Sequence, residues 1–136
     1  MAETSLPVER LFTLTATLNA PTMIQDGPQG TRVIVDVTGG TFVGPKLKGT
    51  VAASGADWVT RRADGSAKLD VRITLLTEDG AAIFMTYNGI SNQGAIRTAP
   101  LFETGAEQYA WLNRVQAVGV GKSSGGTVTY EVYQLL

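Results

Sequence analysis

Residues 11–18, LFTLTATL, set Phe12, Leu14, Ala16 and Leu18 on one face and Thr13, Thr15 and Thr17 on the other. Alternation with period two is the pattern of a half-buried β-strand. Further such runs follow at Arg32–Thr38, Thr41–Ala53 (broken by Gly44, Pro45 and Gly49), Asp57–Arg61, Ala67–Thr77, Ala81–Asn88, Ile96–Phe102, Arg114–Val120 and Thr127–Leu135. They predict about nine or ten strands. Turn signals separate them at Gly39-Gly40, Asp64-Gly65, Asp79-Gly80, Asn88-Gly89 and Ser124-Gly125-Gly126, residues that accept the backbone angles of tight hairpins.

Successive hairpins imply an up-and-down meander, and glycines inside strand patterns (Gly44, Gly49, Gly119, Gly121) mark bulges or corners where a sheet curls. The expected fold is therefore an all-β, closed antiparallel barrel, which leaves no exposed sheet edge. Ala106–Leu112 is the one stretch that suits a helical turn or an irregular linker, and the Pro- and Gly-containing segment Ala20–Gly30 is expected to form a loop over a barrel mouth.

The 136 residues fit one domain, 1–136, with a single core. A formal charge of -1 without a run of Lys or Arg lacks the positive field that nucleic acids and anionic membranes require, so neither is an expected partner. The chain has no Cys and no His, which removes thiolate and imidazole chemistry and the ligands of zinc, copper and haem sites. Only oxygen-ligated metals stay open, and no metal site or other cofactor is expected. The start, MAETSLPVERLFTLTA, lacks a basic region followed by an apolar one, and no apolar stretch approaches the ~20 residues of a membrane span. A cytoplasmic location is the expectation.

A barrel of this size holds one small ligand, so the inward polar side chains decide the chemistry. Arg97–Asn113, RTAPLFETGAEQYAWLN, gathers an arginine, a carboxylate, aromatics and an amide. Arg97 can polarise a carbonyl with Glu103 as general base, or the two can form a plain ion pair. Tyr109, Trp111 and Asn113 share a face if extended, and serve either as ligand platform or as core. In Lys68–Leu75 the aliphatic residues alternate with Lys68, Asp70, Arg72 and Thr74. Either that polar set is solvated, or Asp70 and Arg72 face a polar lumen while the aliphatic set packs on another subunit.

Asp57 lies beside Trp58 in SGADW, where an apolar neighbour raises a carboxyl pKa and makes a proton carrier, or where the acid simply caps a turn. Tyr87, just before Asn88-Gly89, is placed at a mouth, as an oxyanion donor or as a rim residue. P-loop, GxSxG and HExxH motifs are absent, and GVGKSSGG (119–126) lacks phosphate-loop spacing and is expected to be a hairpin turn.

The order of LFTLTATL, GGTFVGPKLKGTV, GADW, LDVRITLLTEDGAAIFMTYNG, RTAPLFETG, YAWLNRVQAVGVG and VYQL resembles the DUF3237 (UPF0311) family over about Leu11–Leu135. The resemblance implies a closed calycin-like barrel with a central cavity and a tendency to form homo-oligomers. Its pattern shares Asp57, Trp58, Asp70, Arg72, Tyr87, Arg97, Phe102, Glu103, Tyr109, Trp111 and Asn113, without assigning their roles. The stretch between Tyr87 and Arg97 is shorter than the family's usual excursion there.

The expected function is proton-transfer chemistry without a cofactor, such as isomerisation, cyclisation or elimination, on a small oxygenated organic compound. Asp57, Asp70 or Glu103 is the expected base, and Arg97 and Tyr87 the oxyanion stabilisers. Trp58, Arg72, Phe102, Tyr109, Trp111 and Asn113 are the expected ligand contacts. Carriage of a hydrophobic metabolite, or a barrel filled by its own side chains, are the alternatives.

Overall fold

A computed structural model describes residues 3–136. In chain order the strands are β1 Val8–Leu18, β2 Thr22–Gly27, β3 Gly30–Val43, β4 Lys48–Val51, β5 Ala56–Arg61, β6 Ala67–Thr77, β7 Ala82–Asn92, β8 Ala95–Thr98, β9 Leu101–Glu103, β10 Ala117–Ser124 and β11 Thr127–Leu135. A 3₁₀ helix, Glu107–Arg114, connects β9 to β10. The ring β1-β3-β5-β6-β7-β8-β10-β11 closes on itself through antiparallel pairing of β1 with β11. This is the closed barrel that the alternation predicts, with eleven strands instead of nine or ten: eight in the ring and three more, β2, β4 and β9, added to it.

Alternation sorts the residues as expected. Phe12, Leu14 and Ala16 of β1, Leu69, Val71, Ile73 and Leu75 of β6, and Val128, Tyr130 and Val132 of β11 are buried. The threonines of β1 face outward, where Thr13 donates to the Glu131 carboxylate at 2.8 Å and Thr17 meets Thr38 at 2.8 Å.

Three expected boundaries are corrected. Asn88-Gly89 is not a turn: β7 runs through it to Asn92, with Gly89 opposite Leu69 on one side and Thr98 on the other. Gly89 is there for close approach, since a Cβ would lie 2.5 Å from the Arg97 carbonyl oxygen. Gly39-Gly40 also stays within β3, beside a register shift against β1 where the strand bends. The segment expected as a loop over the mouth contains β2, paired with β3 at Met23 and Val33. The turns at Asp64-Gly65 and Asp79-Gly80 fall where the sequence puts them, while the hairpin turn expected over 119–126 is confined to Gly125-Gly126, since Gly119–Ser124 continues β10.

One end of the barrel is solid. Phe12 meets Phe42 and Phe102 edge to face, at ring separations of 5.6 and 6.0 Å, above a floor that includes Leu112 of the 3₁₀ helix. Pro100 splits the run expected at Ile96–Phe102 into β8 and β9, so the chain crosses under this end. Asn113 fastens the crossing: its side chain accepts from the Thr104 amide at 2.8 Å and donates to the Thr104 carbonyl at 2.9 Å. No helix among the described residues is long and apolar enough to cross a membrane.

Candidate active site

Toward the other end the inward side chains shrink. Along β1 they pass from Phe12 through Leu14 to Ala16, and along β10 they are Ala117, Gly119 and Gly121. Strand spacing is fixed by hydrogen bonding, so smaller side chains leave space. The result is a cavity of about 590 Å³ walled by residues such as Val33, Val35, Val37, Leu69, Val71 and Val128. A volume in this range suits a small organic molecule.

The cavity's polar groups stand in rows set by strand register. Asp57 of β5 pairs with Val71 of β6, which pairs with Tyr87 of β7, so an acid and a phenol face the lumen at one level. Tyr130 of β11 joins them, its ring 5.3 Å from that of Tyr87 at 68°. Tyr130 lies flat against its partner on β10, Gly121, where a Cβ would come within 2.5 Å of the ring. The missing side chain lets the phenol lean on the wall instead of filling the lumen.

The pairing of β5 with β6 opens between Asp57 and Thr60, and there the Asp70 amide donates to Asp57 Oδ1 at 3.1 Å. Burial pushes the Asp57 carboxyl up to about 6, against the lowering effect of that amide and with a smaller push from the Asp70 charge. The Tyr87 phenol is raised well above its ordinary value, chiefly by burial and then by its neighbour Tyr130 and the Asp57 charge. Burial likewise pushes Tyr130 up to about 12. At neutral pH both phenols are donors, while the carboxyl is poised to change charge. This combination is suited to general acid-base chemistry. No cluster of three or more Asp or Glu among the described residues is placed to hold a metal ion.

Of the residues singled out from sequence, Asp57 and Tyr87 line this cavity, Tyr87 from mid-strand rather than from the rim. The rest lie elsewhere. Asp70 and Arg72 are on the outer face of β6, because Leu69, Val71 and Ile73 take the inward positions. Trp58 is outside too, sharing a shallow groove with Arg32, Lys68 and Asp70 and carrying the Arg72 guanidinium 5.7 Å from its ring centre.

Arg97 is exposed on β8 and donates to the Ile96 carbonyl, and Glu103 is exposed on β9, opposite Phe84. Phe102 belongs to the solid end. Tyr109 donates to Asp79 at 2.8 Å, Trp111 lies under Lys46, and Asn113 is the clamp just described. Arg97 and Thr98 belong to β8 of the ring, and from Pro100 to Asn113 the segment closes the floor of the barrel, so none of the residues 97–113 lines the cavity. Tyr130 and Arg61 are among the cavity residues that sequence reasoning passes over. Each shares a face with other inward residues of its strand, Tyr130 with Val128 and Val132, Arg61 with Asp57 and Val59.

Fold and site together define a small closed barrel with a one-ended apolar cavity that holds an acid and two phenols. The chain belongs to the family described as "Protein of unknown function (DUF3237)", which it matches over residues 6–95 and 90–135. A UPF0311 protein of Clostridium acetobutylicum is 31% identical over 123 residues, covering 76% of this chain and 78% of that one. The hydroalkoxylation enzyme phnH of Penicillium herquei is 33% identical over 112 residues, covering 82% of this chain and 72% of the enzyme. Among solved structures, a β-barrel-like protein of Acinetobacter baumannii superposes with a TM-score of 0.92 at 31% identity, with 99% of each chain covered. An enzyme from Penicillium herquei superposes with a TM-score of 0.82 at 29% identity, covering 100% of this chain and 98% of that one.

Proposed function

We propose that this protein is a proton-transfer enzyme that closes a ring within a small oxygenated organic molecule by adding its hydroxyl across a polarised carbon–carbon double bond, or runs the reverse elimination. One observation carries the reading: a carboxyl with a pKa near 6 and two protonated phenols face one apolar cavity. The likeness to a relative named a hydroalkoxylation enzyme supports the choice of reaction.

The chemistry balances without a co-reactant. The Asp57 carboxylate takes the hydroxyl proton as the oxygen bonds to one alkene carbon. The electron pair of the double bond moves toward a conjugated substrate oxygen, where Tyr87 and Tyr130 donate hydrogen bonds to the developing charge. The Asp57 acid then returns a proton to the other carbon. The product is an isomer of the substrate. Exclusion of water by the aliphatic walls strengthens each of these contacts and keeps water from competing for the alkene.

The test is incubation of the purified protein with fractionated small-molecule extracts in deuterated water, followed by mass spectrometry. The expected product has a new retention time and one carbon-bound deuterium, and Asp57→Asn slows its formation by about 10²–10⁴-fold, the usual contribution of a general base. A compound retained unchanged by both wild type and Asp57→Asn would instead make the barrel a carrier.

A further inference from the structure

Arg61 ends β5 on the same inward face as Asp57 and Val59, and it lines the cavity. It is the one cation among the described residues that does so. The ion pairs among those residues are Arg10–Glu131, Lys46–Glu9 and Lys48–Glu78, so Arg61 has no carboxylate of its own. Register puts it in a row as well: Arg61 pairs with Ala67 of β6, and Ala67 with Ser91 of β7. Ala67 is too small to fill the space between them. Arg61 and Ser91, two strand spacings or about 10 Å apart, therefore flank an open polar notch at the mouth.

The cavity is layered along its strands. Asp57, Val71 and Tyr87 form the inner row, Val59, Leu69 and Gly89 the next inward positions on the same strands, and Arg61, Ala67 and Ser91 the outer row. Four residues separate the inner and outer rows, about 13 Å of extended strand. An anion near the inner row would meet the Asp57 charge across apolar walls with little screening. An anion at the outer row would meet an unpaired guanidinium.

From this layering we infer that the substrate is an elongated carboxylate or similar organic anion whose charged end is held at the mouth by Arg61, with its oxygenated reacting end beside Asp57 and the two phenols. Arg61 is thus a specificity-determining residue that fixes which end of the molecule enters first. The inference rests on the reading of the cavity as a reaction site, and it adds the substrate's charge and polarity.

A matched pair of fluorescent probes tests it: 8-anilinonaphthalene-1-sulfonate and the neutral N-phenyl-1-naphthylamine, which has the same aromatic body without the anion. Wild type is expected to bind the sulfonate about tenfold more tightly, the scale of one charge-assisted contact at a partly solvated position. Arg61→Met is expected to bring the ratio of the two affinities to near one while leaving the neutral probe's affinity unchanged, which also shows that the variant is folded. Asp57→Asn is expected to keep the preference for the anion, so loss of turnover and loss of charge selection are read separately. An unchanged ratio in Arg61→Met, or a wild type that binds the neutral probe as tightly as the anion, would overturn the inference.

Discussion

The two ends of this barrel are built from the same alternating strands, yet one is solid and the other hollow. At the solid end Phe12, Phe42 and Phe102 interlock over Leu112, and the inward positions carry no charge. At the hollow end alanine, valine and glycine take the corresponding positions, a carboxyl and two phenols face the lumen, and the exposed Arg61 stands at its mouth. Alternation decides which residues face inward, while side-chain size along each strand decides whether they meet. The solid end supplies packing energy, which allows the hollow end to hold a destabilising acid.

The contrast is broken most severely by truncating the solid end. Phe12→Ala removes a fully buried ring with two aromatic partners and is expected to cost about 3–5 kcal/mol, measured by denaturant unfolding. Val59→Ala, beside an existing cavity, is expected to cost distinctly less, because its side chain already lacks neighbours on one side. Equal costs would mean that the lumen collapses around the hollow end.

The next effect has the opposite sign. Because Asp57 holds its proton more tightly folded than unfolded, wild-type stability falls as pH rises from about 4 to about 6 and stays lower above that. Asp57→Asn keeps an oxygen to accept from the Asp70 amide and carries no charge. It is expected to be more stable than wild type at pH 8 by up to about 3 kcal/mol, the worth of two pKa units, and to show no such gain at pH 4. Thermal melts at the two pH values measure the difference. A variant that loses activity while gaining stability is the signature of a group kept for function at a cost in folding energy.

The smallest effects are expected outside. Arg97→Gln and Glu103→Gln alter exposed side chains that do not line the cavity. Each should leave stability within about 0.5 kcal/mol and turnover unchanged. A large loss of turnover in either would return the segment 97–113 to the active site.

The barrel was legible in the sequence because alternation, as in LFTLTATL, directly encodes which side chains are buried. The turns at Asp64-Gly65 and Asp79-Gly80 were legible for the same local reason. Asn88-Gly89 misled because a glycine needed for the close approach of β8 looks identical to a glycine needed for a hairpin. The site was harder to read because it depends on register. Nothing local shows that Asp57 and Tyr87 share a row through Val71, or that Tyr130 leans on Gly121. The polar cluster of 97–113 looked like chemistry, but its Asn113 and Tyr109 satisfy backbone and carboxylate partners where the chain crosses the floor. The size gradient from Phe12 to Ala16 and the inward parity of Arg61 with Asp57 were present in the sequence, and they point to the hollow end.

The central claim is that the hollow end holds a carboxyl whose proton affinity is set by burial. Carbon-13 NMR of the Asp57 carboxyl through a pH titration measures it directly in the wild-type protein. A midpoint near 6 is predicted, about two units above an ordinary aspartate. A midpoint near 4 would show a solvated acid and contradict the account of Asp57 as the proton carrier.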